Sequence, residues 1–235
     1  MNYRIFLPVA LSVSALVAAC GGGGGGGSAI PSVTVSTATF PNILSNYQAR
    51  VLAGGTESFT ISGSCGSGTA VITNGRPTAT TFNGQPAFSA SRTVAENVTG
   101  CSPASRSESA TVYYNSAYTQ IGQFIPLVRT DVAIAPAPTS LPSSVRVGDK
   151  GVYSTMATYQ DPSQTYQGTR VLSYEVFADT ATTALLALFD QNYDTSNQLQ
   201  FTQLSRFRVA DNGQLTLIDI TLRYANGTQL VYTKV

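Results

Sequence analysis

The chain has no histidine and no tryptophan among its 235 residues, and charged side chains make up only 11% of it. Each shortage removes a class of function. Without histidine there is no Ser-His-Asp or Cys-His nucleophile arrangement, no imidazole ligand for zinc, and no side chain that ordinarily titrates near neutrality. A serine–lysine couple could stand in, but Lys150 and Lys234 are the only lysines, and neither lies near a serine in a recognisable pattern. An enzyme is therefore not expected. Sparse, balanced charge also argues against a nucleic-acid partner, which needs clustered Lys and Arg. From Ser28 to Thr130 five arginines face three glutamates, from Asp131 onward seven basic groups face nine acidic ones, and neither half makes a patch.

What acidic chemistry remains is thin. Glu175 and Asp179 lie four apart, and Asp211 and Asp219 flank one strand. Paired carboxylates hydrolyse glycosides only when both face one cleft, and solvated strand charges are the commoner arrangement. Asp190, Asn192, Asp194 and Ser196 copy the opening spacing of a calcium loop, but Thr195 stands where that loop needs glycine and Phe201 where it needs glutamate. Asp190, Asn192 and Asp194 are the candidate ligands, a polar hairpin turn is the simpler reading, and no metal or cofactor is expected.

The N-terminus is richer. Met1–Arg4 carries one positive charge, and Ile5–Ala19 is apolar except for Ser12 and Ser14. That is the layout of an export signal. A membrane span needs about 20 apolar residues, and the seven glycines that begin at Gly21 stop the segment short of that.

Leu16-Val17-Ala18-Ala19-Cys20 resembles the lipobox of bacterial lipoproteins. The resemblance implies that residues 1–19 are a cleaved signal peptide and that Cys20 carries a diacylglycerol thioether on an acylated amino terminus. In that family an aspartate after the cysteine retains the protein at the inner membrane; Gly21 here implies the outer membrane, on a face left open. Each buried methylene adds about 0.8 kcal/mol and a single chain anchors only marginally, so several chains on one cysteine would hold the protein permanently. Residues 20–32 then form a flexible Gly-rich tether of roughly 20 Å. The glycines do not make a phosphate loop, because no Lys and Ser/Thr follow them at the required spacing. Cys65 and Cys101 are the only other cysteines. In an oxidising compartment an even pair reads as a disulfide, whereas two thiols without histidine cannot close a zinc shell.

The body is rich in Thr, Ser, Val, Tyr and Phe in short alternating runs, with Asn-Gly pairs at 74–75, 83–84, 212–213 and 226–227. This patterning predicts an all-β fold, with tight hairpins at the Asn-Gly pairs and no helix beyond the signal. Residues 33–130 are expected to form a small β-sandwich holding the disulfide, since both faces of Ala110–Ala117 carry aromatic or β-branched residues. Residues 131–147, with three prolines in Ala135–Ser144, read as a linker, a Pro-rich edge strand being the competing view. Residues 148–235 are expected to be an antiparallel up-and-down meander, strongly curved or partly closed. Leu172, Tyr174 and Val176 alternate there with Ser173 and Glu175, and Ile218, Ile220, Leu222 and Tyr224 with Asp219, Thr221 and Arg223.

Ten tyrosines punctuate these strands. Tyr153, Tyr159 and Tyr166, close to a turn, are the candidate binding surface. The expected role is a lipid-anchored, non-catalytic envelope module that binds or assembles with an envelope protein. A glycan- or peptidoglycan-binding module is the alternative, against which the missing tryptophan weighs, and a carboxylate-dependent hydrolase is a second. The mature region resembles β-rich envelope lipoproteins with glycine tethers, a likeness that carries no activity.

Overall fold

The structure is a computed structural model that describes residues 36–126, 130–161 and 165–235. Cys20, the signal and the tether lie outside the described residues. One short helix, α1 (Ile43–Ala53), precedes thirteen strands. The strands are β1 (Gly55–Gly63), β2 (Ser67–Asn74), β3 (Thr78–Phe82), β4 (Gln85–Thr99), β5 (Ser105–Tyr114), β6 (Gln120–Pro126) and β7 (Thr130–Ile134). They continue with β8 (Lys150–Asp161), β9 (Thr165–Ala178), β10 (Ala184–Asp194), β11 (Leu199–Val209), β12 (Leu215–Tyr224) and β13 (Gln229–Lys234).

The chain is all-β and antiparallel, but the expected sandwich followed by a meander is corrected to one closed barrel. From β4 to β13 each strand pairs with the next, β13 pairs with β1, and β1 with β2. The ring then shuts because Ser67–Asn74 of β2 also pairs with Arg92–Thr99 of β4. Twelve strands make the wall, and β3 stands outside the ring, paired with the first residues of β4. Sheet edges are the physical reason. A small sandwich would leave β1 with an unpaired ladder, whereas Ile61 opposite Tyr232 supplies it with a partner and removes that edge.

The outward aromatic of β5, which had suggested a second buried face, is covered differently. Phe82 folds back and stacks on Tyr113 with ring centroids 4.3 Å apart. Gly122 makes room for it, since a Cβ there would meet Phe82 at 2.3 Å. The turn that brings Phe82 back is Asn83–Gly84, both at positive φ (50° and 72°) as a two-residue hairpin requires.

The last six strands do run as sequential neighbours. The side-chain rhythm slips at several bulges, one of which lets Arg206 pair with Asp219 but Phe207 with Leu217. Leu217 rather than Ile218 is thereby buried. Residues 131–134 belong to β7, so that part of the expected linker is wall. The rest of it loops back to β8 and packs, with Leu141 and Val145 buried and Val145 bridged to Phe40.

That loop and α1 close one end of the barrel. Helix α1 was not foreseen, and its ends explain why. Asn42 sits at left-handed φ (61°) and gives no side-chain cap, while the Ile43 amide donates to Ser143 O at 3.0 Å. The far end stops at Gly54, φ 59°, and Ala53 O accepts from Arg76 Nε at 3.2 Å. The N-terminal cap thus comes from a residue distant in sequence, whereas the C-cap is the local Gly54, whose amide donates to Val51 O at 3.3 Å. Ile43, Tyr47 and Arg50 share one helical face, and Ile43 is fully buried in the same apolar cluster as Phe40, Val176, Leu186 and Val209.

Candidate functional site

A twelve-stranded ring is too wide for side chains to fill. Alternation points Ala90, Arg92, Val94, Glu96 and Val98 of β4 inward, leaving Ser91, Thr93, Ala95, Asn97 and Thr99 exposed outside. The lumen holds two chambers of about 380 Å³ and about 320 Å³. Ile72, Arg92, Gln123, Arg170, Asp190, Gln203 and Ile220 line both, so these residues form the waist between them. The first chamber lies under α1, which contributes Tyr47 and Arg50. The second is walled by Glu96, Arg106, Glu108, Phe201, Tyr224 and Tyr232.

Among the described residues the charges in this lumen are paired with one exception. Arg170 grips Asp190 through both nitrogens of its fork, with Nε to Oδ1 at 2.7 Å, and a third contact goes to Gln123 Oε1. Burial opposes the Arg170 charge, but the adjacent Asp190 carboxylate and its hydrogen bonds win and raise the arginine's pKa. Arg50 and Lys234 both bind Glu57, the lysine at 2.8 Å. Arg106 reaches Glu96 at 3.3 Å and Glu108 at 3.2 Å. Arg92 donates no hydrogen bond and makes no ion pair among the described residues. Burial, its strongest influence, lowers the pKa of its guanidinium despite nearby Tyr114 and Asp190.

Three tyrosines stand on the first-chamber side of this waist. Tyr47, Tyr114 and Tyr153 all line the first chamber, and burial raises the pKa of each hydroxyl, so all three are neutral donors at physiological pH. Chemically the site offers a guanidinium fork with phenolic hydroxyls beside it, against an apolar lining of Ile72, Leu172, Leu188, Phe207 and Ile220. That is a polar recognition group set in a hollow whose lining is about evenly polar and apolar, with convergent polar groups of the kind that orient a small molecule.

The structure divides the residues singled out from sequence. Tyr153 is buried in the lumen. Tyr159 and Tyr166 line neither chamber; they pack edge to face 6.0 Å apart, and Tyr166 is 45% exposed with its hydroxyl 2.9 Å from Thr169 Oγ1. Asp190 belongs to the waist, and Asn192 Nδ2 lies 3.4 Å from Asp190 Oδ1. Asp194 instead sits at the hairpin, where its Oδ1 accepts the Ser196 and Gln198 amides at 2.9 Å each. Among the described residues no group of three His, Cys, Asp or Glu side chains is placed to hold a metal ion. Asp179 and Asp219 are spent on Arg208 and Arg206. Cys65 and Cys101 are joined as a disulfide, Cα to Cα 5.0 Å.

Arg92, Arg170 and Tyr47 were not singled out from sequence. The signal was present for two of them: Arg170 extends the inward row Leu172, Tyr174, Val176, and Arg92 extends the row of Ala90 and Val94. A charge on the apolar parity of a strand was the mark. No family model, no curated protein and no solved structure matches this chain.

Proposed function

We propose that the chain is a lipid-anchored binding protein of the outer membrane, non-catalytic, whose barrel takes up a small polar ligand in its lumen. The observation that carries the reading is the pair of chambers joined at a charged waist inside a closed wall. Volumes of a few hundred Å³ suit a drug-sized molecule and favour a small ligand over a strand of cell-wall glycan. The outer wall supports a barrel bathed in water. Ser58, Thr60, Ser62, Ser91, Thr93, Ser107 and Ser109 are all exposed, where a membrane barrel presents an apolar band between aromatic girdles. Attachment to the bilayer then falls to Cys20 and its glycine tether.

Both halves of the reading are tested on protein made with its own signal in a bacterial envelope. Wild type is expected to fractionate with membranes and Cys20→Ser to be released; equal membrane retention of the mutant overturns the anchor. Native mass spectrometry of the detergent-purified chain is expected to show a noncovalent adduct of drug-like mass that organic extraction removes. A chain that carries no adduct and takes up none from an envelope extract overturns the binding role.

A further inference from the structure

We propose that Arg92 is the anchor for an anionic group, a carboxylate or a phosphate monoester, on the ligand of the lumen; this rests on the binding role proposed above. Among the described residues two arginines stand at the waist, and one of them is without a hydrogen-bond or ion-pair partner there. Arg170 has its Nε, Nη1 and Nη2 engaged by Asp190 and Gln123. Arg92 lines both chambers and gives none of its five donors to a described residue. An arginine fork matches the two oxygens of a carboxylate or phosphate and holds them bidentately.

The neighbourhood suits an anion. The Asp190 carboxylate, which would otherwise attract Arg92, is neutralised by the bidentate Arg170. Tyr47 and Tyr114 are electrostatic neighbours of Arg92. Neither hydroxyl is hydrogen-bonded to a described residue, so both remain to donate to further ligand oxygens. Ile72 and Ile220 flank the same waist in both chambers, so the rest of the ligand carries a ring or short apolar stretch. Arg92 is half-buried inside the ring, and a guanidinium so placed without a counter-charge among the described residues is destabilising; a ligand anion supplies one.

The test titrates the full mature chain, in detergent at fixed ionic strength, with benzoate, phenyl phosphate and neutral benzamide, read by calorimetry and thermal unfolding. At least one of the two anions is expected to bind ten-fold or more tightly than benzamide, and which one does so separates the carboxylate from the phosphate. Arg92→Met is expected to lose that ten-fold preference while its unliganded Tm rises, because a half-buried charge with no partner among the described residues has gone; a merely structural arginine would lower it. Arg92→Lys keeps the charge without the fork and is expected to fall between. Exposed Arg223→Met is expected to match wild type. Anion binding by Arg92→Met equal to that of wild type, or benzamide binding equal to that of both anions, overturns the inference. If neither anion binds but an extractable neutral adduct is found, this inference fails and the binding role stands. If neither anion binds and no adduct is found, both fail.

Discussion

The Tyr232 hydroxyl donates a 2.7 Å hydrogen bond to Glu96 Oε1 inside the barrel, joining β13 to β4 although β1 and β2 lie between them in the wall. The bond crosses the lumen rather than following the ladder. Burial and the Glu96 carboxylate together raise the tyrosine's pKa, so the proton stays on Tyr232 and the carboxylate keeps its donor. Tyr232→Phe leaves Glu96, 8% exposed, with the more distant Arg106 contact alone. The expected loss is about 1–3 kcal/mol of unfolding free energy, measured by urea denaturation. A midpoint unchanged from wild type would show that the cross-lumen bond contributes nothing.

Glu57 ties the end of α1 to the barrel. Burial alone would raise its pKa, but hydrogen bonds from Arg50 and Lys234 outweigh that and hold it below the usual carboxylate value of 4.5. A carboxyl lowered by folding contributes stability that is fully present above its unfolded pKa and is lost as pH falls through the folded one. Unfolding free energy is therefore expected to decline below about pH 4.5, the ordinary glutamate range. Glu57→Gln should show a shallower decline. Equal slopes for the two proteins between pH 5 and 3, in urea titrations, would rule this linkage out.

Ser154 sits on the inside of a β8 bulge, 3% exposed, and its hydroxyl has no partner among the described residues. A buried hydroxyl without a hydrogen bond costs on the order of 1–3 kcal/mol. Ser154→Ala removes the oxygen and little volume, so it should be neutral or stabilise by up to about 1 kcal/mol. Calorimetric melting decides: a Tm several degrees below wild type would mean that the hydroxyl has a partner.

The disulfide clamps the seam. Cys65 lies in the β1–β2 turn and Cys101 in the β4–β5 turn, next to the β2–β4 pairing that shuts the ring. Its loop spans 36 positions, and a loop of that size is worth roughly 3–4 kcal/mol in the chain-entropy account. The Cys65→Ser, Cys101→Ser double variant should lose stability of that order yet keep its far-ultraviolet spectrum. Loss of the β spectrum at 25 °C would show that the seam cannot close without the bond.

Much of this barrel is legible locally. The bounds of β3 and β12 follow from the alternation in Thr78–Phe82 and Leu215–Tyr224 and from the turn residues beside them. What failed depended on distant residues. β7 hides beside prolines because Thr130–Ile134 is a strand only through its neighbours β6 and β8. Helix α1 takes its N-terminal cap from Ser143 and a further C-terminal hydrogen bond from Arg76, which no local window contains, and only Gly54 marks its end locally. The closure of β13 on β1 leaves no trace in either segment, since a paired edge and a free edge have the same alternation. In the site, an aromatic near a turn such as Tyr153 reads as exposed surface, whereas it is buried inside the ring, and a lone cation on a strand such as Arg92 reads as solvated. Only the ring that surrounds it makes it unusual.

The β1–β13 ladder also bears on when this protein can fold. Thr60 finds its partner at Thr233, 173 positions later in the chain. Contacts this remote form slowly, because a long loop must be ordered before they yield anything. Synthesis and any passage through a translocation channel run from the N-terminal side, so β1 emerges long before β13. Until the final strand arrives, an incomplete sheet is left with open edges at β1 and β12. That interval is the point in the life of the molecule at which proteases and chaperones have their best access to it.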